Sequence, residues 1–96
     1  MNIEFHAPHG QVKEWVINYA KDHLMKLHRH DQDISRAQVY FREKADQRDG
    51  GKICEIELTI PGGSLFVHRQ AVNYEQALRK VLEELANKVL AVVREK

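Results

Sequence analysis

Apolar residues recur along this chain at two spacings, one typical of β-strands and the other of α-helices. Alternation of apolar and polar residues predicts four strands, over Asn2–Ala7, Ile34–Ala45, Lys52–Ile60 and Ser64–Ala71. Spacings of three and four residues predict two amphipathic helices, over Gln11–His28 and from Tyr74 to near the C-terminus. Because each helix carries an apolar stripe, each needs a surface to pack against, and a sheet is the simplest one.

Turn-forming residues separate these elements and indicate how they connect. Pro8 and Gly10 follow the first strand, Asp46–Gly51 has the composition of a hairpin loop, and Pro61–Gly63 forms the next turn. Short turns between the last three strands predict an antiparallel meander, and Asn73 is expected to cap the last helix. The order β-α-β-β-β-α predicts a single α+β domain over residues 1–96, a four-stranded sheet with both helices packed on one face. The other face is left to water or to a partner.

The composition is that of an ordinary globular protein. Of its 96 residues, 43% are hydrophobic and 30% are charged. The formal net charge is only +1, but 15 basic residues are enough to form a local patch. No apolar run approaches the roughly 18 residues that a membrane span needs, and the N-terminus does not resemble a secretory signal. The single cysteine, Cys54, predicts a protein of the reducing cytoplasm.

Residue types that support catalysis or metal binding are present, but not in a recognisable arrangement. Cys54 alternates with residues assigned to the core face, so we expect a buried structural thiol rather than a nucleophile. A set of histidines and aspartates is interpreted as polar loop residues rather than as a metal site: His6, His9, His28, His30, Asp31 and Asp33. The paired glycines lack the following residues that would cradle a nucleotide. We therefore expect no enzymatic activity, no metal, no cofactor and no small-molecule substrate.

Several local features, in order and at nearly matching spacings, resemble one known family. They are the apolar positions Val12, Val16, Tyr19, Leu24 and Leu27, the strand start Ile34, Ala37 and Val39, the turn Gly62–Gly63, and the helix start Asn73–Leu78. No single feature is specific. Together, and over essentially the whole chain, they resemble the ribosome hibernation promoting factors and ribosome-associated inhibitors, a family also labelled sigma-factor modulation proteins.

The resemblance implies both a fold and a function. The fold would be compact and similar in shape to double-stranded RNA-binding domains. The protein would dock between the head and the body of the small ribosomal subunit, over ribosomal RNA, where messenger and transfer RNA otherwise lie. It would inhibit translation during stress or stationary phase by occupying the decoding channel, and this steric mechanism requires no chemistry.

Recognition of RNA phosphates requires positive charge on a surface that reaches the backbone. The candidate RNA-binding residues lie on both helices and on the exposed sheet face: Lys21, Lys26, Arg29, Arg42, Lys44, Arg79, Lys80, Lys88, Arg94 and Lys96. The same charges are also explained without a ligand. On the helices they would stabilise neighbouring turns, and Arg42 and Lys44 would pair with Glu55 and Glu57 across the strands.

The end of the last helix leaves a second hypothesis open. Ala91 and Val93 lie where the similar proteins are rich in Lys and Arg, and Glu84 lies where they often have lysine. Each phosphate contact that is lost weakens binding. The alternative is a divergent member that forms homodimers or binds a protein partner through the exposed sheet face, around Phe66 and Trp15, without binding ribosomes.

Overall fold

The secondary structure follows the order expected from the sequence. The computed structural model describes residues 1–7, 12–44 and 51–95, the last three of these by their backbone alone. Its elements are β1 (Asn2–His6), α1 (Glu14–His30), β2 (Arg36–Glu43), β3 (Lys52–Ile60), β4 (Gly63–Ala71) and α2 (Tyr74–Glu95). The predicted β-α-β-β-β-α order is confirmed, and β3 has the predicted bounds.

The four strands form one mixed sheet in the order β1-β2-β3-β4. The predicted antiparallel meander of β2, β3 and β4 is confirmed, whereas β1 pairs with β2 in parallel, from Asn2 opposite Arg36 to His6 opposite Tyr40. The Lys44 N–H donates to the Gly51 carbonyl at 2.8 Å and closes the base of the β2–β3 hairpin. The predicted turn at Pro8 and Gly10 and most of the Asp46–Gly51 loop lie outside the described residues.

Both helices pack on one face of the sheet, as predicted. Alternate residues of β2 and β3 are buried beneath them: Ala37, Val39, Phe41, Cys54, Ile56 and Leu58. The helices contribute Leu24, Leu78 and Leu85, each fully buried. Burial of a leucine side chain is worth about 1.5–3 kcal/mol, so this single layer of apolar contacts holds the helices in place.

Helix α1 ends at His30, two residues later than the sequence predicts. The polar run that begins at His28 therefore does not end the helix at that residue. Basic side chains are favourable in the last turn of a helix, where they interact with the negative end of its dipole. Asp31 is the C-cap residue that follows the helix, and its N–H donates to the Leu27 carbonyl at 3.0 Å. The Asp31 side chain then accepts the N–H of Asp33 at 3.1 Å and turns the chain toward β2.

Two local features fix the start of α2 and the turn before β4. Asn73 caps α2 as predicted, since its Oδ1 accepts the N–H of Gln76 at 2.8 Å. Gly62, in the turn between β3 and β4, has a φ of 84°, a left-handed conformation that favours glycine. The hairpin therefore places Phe66 and His68 on the face of the sheet that the helices leave open.

The packing of the core predicts that two leucines of α2 contribute very different amounts to the stability of the protein. Leu85→Ala should destabilise the protein by about 2–5 kcal/mol, because Leu85 is fully buried and its removal leaves a cavity. Leu90→Ala makes the same chemical change at a side chain that is 45% exposed and should cost far less. Urea denaturation of both variants measures the difference, and equal losses of stability would contradict this packing.

Candidate nucleic-acid interface

The two helices run in the same direction along the sheet. Each follows a strand and returns antiparallel to it, and those strands, β1 and β4, are themselves parallel because β2 and β3 reverse the direction twice. Side-chain contacts agree, since the Arg79 guanidinium lies 5.4 Å from the Tyr19 ring centre near the start of both helices. The C-terminal ends of α1 and α2 therefore lie at the same end of the molecule.

Three of the predicted cationic residues lie toward that end. Lys26 and Arg29 are exposed on the last turns of α1, and Lys88 is exposed on the second half of α2. Within the described part of the chain none of them has an ion pair. We call these three residues the helix-end cluster. Arg94 continues α2 in the same direction, but its side chain and Lys96 lie outside the described residues.

A groove of about 220 Å³ lies between the helices, beside Lys26. Its floor is apolar and consists of Leu27, Leu82, Ala86, Val89 and Leu90, and His23, Lys26 and His30 complete its lining. The His23 ring is tilted by 33° to the Tyr19 ring, with the ring centres 4.2 Å apart, and its Nδ1 lies 3.1 Å from the Tyr19 carbonyl oxygen. Of the three cations in the cluster, Lys26 lines this concave surface, whereas Arg29 and Lys88 lie outside its lining.

The other predicted cations of the helices have local roles. Lys21 lies on the side of α1 that faces β1, with its Nζ 5.7 Å from the Phe5 ring centre. Arg79 pairs with Glu75 one turn earlier, at 2.7 Å, as the helix-stabilising interpretation predicts. Lys80 lines a separate polar depression together with Arg69, Glu83 and Glu84. The structure does not bring these three cations into the helix-end cluster.

Glu84 forms an ion pair with Arg69 of β4. This contact gives Glu84 a structural role between helix and sheet, because it neutralises an arginine on the helix-covered face. No ion pair joins Glu84 to Lys88 in the described part of the chain.

The open sheet face carries the remaining predicted cations. Arg42 pairs with Glu55 at 3.0 Å, as the cross-strand interpretation predicts, and its guanidinium lies 5.6 Å from the Tyr40 ring centre. Tyr40 also stacks on His6, with ring centres 4.6 Å apart. Lys44 is exposed just after β2, at the end of the sheet where the helices begin. Arg42 and Lys44 are thus separated from the helix-end cluster.

Sequence reasoning missed the convergence of the helix ends and the groove between them. The signal was available, since the order β-α-β-β-β-α with a parallel first pair makes both helices run in one direction. It also missed a pocket at the opposite end, lined by Lys13, Trp15, Lys52 and Tyr74. These four residues come from three elements, and no spacing along the chain brings them together.

Cys54 and the histidines form no metal site in the described residues. Cys54 is fully buried, and burial raises the pKa of its thiol to about 12. Within residues 1–7, 12–44 and 51–95, no three His, Cys, Asp or Glu side chains are grouped so that they could hold a metal ion. His9 lies outside the described residues. In the described part of the chain, neither helix has the length and apolarity needed to cross a membrane.

The raised pKa of Cys54 predicts a thiol that does not react in the folded protein. At pH 8 a group with a pKa near 12 is ionised only to the order of one part in ten thousand, and the thiolate is the reactive form. Iodoacetamide should therefore leave Cys54 unmodified in buffer and modify it in urea, as mass spectrometry would show. Rapid modification of the native protein at pH 8 would contradict the burial of this side chain.

Solved structures with the same fold include two related by low sequence identity. The Thermus thermophilus Protein Y N-terminal domain is similar with a TM-score of 0.74 and 21% identity, over 93% of this chain and 96% of that one. A ribosomal subunit interface protein from Coxiella burnetii is similar with a TM-score of 0.82 and 12% identity, over 100% of both chains. At these identities the likeness establishes the fold, and it confirms the predicted α+β architecture.

A sequence comparison establishes the family. No curated protein matches the chain. The profile described as sigma 54 modulation protein / S30EA ribosomal protein matches residues 3–94. Proteins of this family are ribosome-associated and generally non-enzymatic. Because the match includes every element of the fold and confirms the resemblance seen in the sequence, the chain belongs to the sigma 54 modulation protein / S30EA ribosomal protein family.

Proposed function

We propose that this protein associates with the ribosome in the cytoplasm, binds the small subunit over its ribosomal RNA, and inhibits translation by occupying the decoding channel. The observation that carries the proposal is the family match over residues 3–94. The names of the two similar structures, Protein Y and a ribosomal subunit interface protein, also support an association with the ribosome.

The helix-end cluster is the surface that we propose for RNA contact. Lys26, Arg29 and Lys88 are exposed and lack ion pairs in the described part of the chain, so their charge is available to phosphate groups. Arg94 and Lys96 would extend the same surface. The negative ends of both helix dipoles oppose a bound phosphate there, and long Lys and Arg side chains are needed to project the positive charge beyond them.

The mechanism needs no bond to be made or broken. A rigid domain placed in the channel would exclude messenger and transfer RNA by its volume, and phosphate contacts would hold it in register. Rigidity comes from the single core under both helices, which ties the cluster to the sheet. The extent of inhibition would therefore depend on the fraction of small subunits that carry the protein. That fraction would depend on the salt concentration.

Binding to small subunits should weaken steeply with salt. Three phosphate contacts predict a loss of affinity of roughly thirty-fold between about 50 and 200 mM monovalent salt, because each contact releases a counterion. Pelleting of the protein with purified small subunits across a salt series measures this slope. The proposal fails if the protein does not co-sediment at the lowest salt.

Two matched lysine variants locate the contact. Lys88→Gln should weaken binding, because Lys88 belongs to the helix-end cluster. The slope of log affinity against log salt concentration should fall by about the amount expected for one phosphate contact. Lys44→Gln makes the same change at an exposed lysine at the other end of the sheet, and it should leave the affinity nearly unchanged. The reverse result would move the RNA contact from the helix ends to the sheet.

A second candidate function is self-association through the open sheet face. Phe66 favours it, because this large apolar side chain is 47% exposed on a face that no described helix covers. If this candidate is correct, the mass measured by light scattering should rise with protein concentration, and Phe66→Gln should abolish the rise. Leu90→Gln, at a comparably exposed side chain between the helices, is the control. A constant monomer mass would eliminate this candidate.

A further inference from the structure

Strand β4 forms one edge of the sheet, because it pairs with β3 on one side and with no described strand on the other. The register shows which of its backbone groups face outward. The Lys44 N–H donates to the Gly51 carbonyl, so the odd-numbered residues of β3 bond to β2 and the even-numbered ones bond to β4. The residues of β4 that bond to β3 are then the odd-numbered ones. The backbone N–H and C=O groups that point away from the sheet belong to Ser64, Phe66, His68 and Gln70.

This edge is long and regular. β4 pairs with β3 without interruption from Gly63 to Ala71, and it contains no proline. Phe66 is 47% exposed on the open face beside the edge, so a second strand would also find apolar surface there. A straight strand edge is a template for pairing with another chain, and folded proteins protect such edges with charged side chains, prolines or bulges. A protecting feature is therefore expected along β4.

Arg69 lies across this edge. Its side chain starts on the helix-covered face, on the same side of β4 as the buried Val67. Its Nη1 donates a hydrogen bond to the outward carbonyl of His68 at 2.6 Å, and its Nη2 forms the ion pair with Glu84 of α2. A neighbouring strand would lie about 4.7–4.9 Å from β4 and would donate an N–H to this same carbonyl. The guanidinium therefore occupies the place that the backbone of that strand would take.

We propose that Arg69, held by Glu84, closes the edge of β4 against a second copy of this chain, and that two such edges pair antiparallel once the arginine is removed. An antiparallel pair about a two-fold axis is self-complementary, because the same outward groups supply donors and acceptors on both sides. In the register centred on Val67, Phe66 would lie opposite His68 of the partner subunit. The Phe66 and His68 rings already lie 5.8 Å apart within one chain, so pairing would extend a row of rings across the junction.

This inference does not rest on the proposed contact with ribosomal RNA, which uses the helix ends. It also differs from self-association through the open sheet face, because the contact is made by backbone groups of one strand. The two kinds of association are distinguished by which variants associate and by which amide groups become protected.

Removal of the arginine tests the proposal. Arg69→Thr should make the mass measured by light scattering rise with protein concentration and level off near twice the monomer mass, because each copy has one β4 edge. The double variant Arg69→Thr/Glu84→Gln should behave in the same way, and it leaves no unpaired carboxylate that would destabilise α2. Circular dichroism verifies that both variants are folded.

Arg36→Thr is the matched control. Arg36 also lies in a strand and pairs with a glutamate, and its side chain is 44% exposed against 43% for Arg69. However, β2 has a neighbouring strand on both sides, so this substitution opens no edge. A monomer mass for both Arg69 variants at every concentration would overturn the proposal. Equally strong association of Arg36→Thr and of the unmodified protein would also overturn it.

Amide hydrogen exchange identifies the surface that associates. The N–H groups of Phe66 and His68 point outward, so they should exchange rapidly in the unmodified protein and about ten-fold more slowly in the associated Arg69→Thr variant. The N–H of Val67 bonds to β3 and should be protected in both. Association that leaves Phe66 and His68 unprotected would assign the contact to another surface and would overturn the proposal.

Discussion

The parallel pairing of β1 with β2 is the constraint on which the arrangement of this molecule depends. It requires α1 to return antiparallel to both strands, across the face of the sheet. Two hairpins later β4 again runs parallel to β1, so α2 must return in the same direction as α1. The buried side chains of Leu24 and Leu85 then hold the helices against one apolar layer. The direction of the first strand thus decides where both helices end.

The distribution of charge follows from this geometry. Cations near the end of a helix stabilise it through the dipole, so Arg29 needs no ligand to be favourable where it is. Elsewhere, arginines form ion pairs with acidic residues: Arg42 with Glu55, Arg69 with Glu84 and Arg79 with Glu75. In the helix-end cluster, positive charge is exposed and unpaired in the described part of the chain. A net charge of +1 is therefore compatible with a local phosphate-binding surface.

The sequence predicted the elements well because their signals are local. The alternation through β3 gave its bounds, and Asn73 identified the start of α2 through its capping chemistry. The end of α1 was predicted two residues early, because a polar run in the sequence resembles the end of a helix. The run looks the same when the helix dipole favours basic side chains in the last turn and the helix continues.

The candidate site was predicted less well, because its geometry depends on contacts distant in sequence. Ten cations were expected to contribute to one function, yet Arg42 and Lys26 lie at opposite ends of the molecule. The pairing of Glu84 with Arg69 joins a helix to a strand and has no counterpart in helical spacing. The pocket of Trp15, Lys52 and Tyr74 likewise exists only once three elements have packed together. Side-chain type was enough to identify candidate residues for the site, but the fold topology decides which of them lie together.

An electron cryo-microscopy reconstruction of the protein bound to small ribosomal subunits would locate its binding surface directly. We expect density in the decoding channel, with the C-terminal ends of α1 and α2 against ribosomal RNA and the open sheet face turned away from it. A reconstruction with the open sheet face against the RNA would contradict the proposed surface. Density for the protein outside the channel would contradict the proposed mechanism.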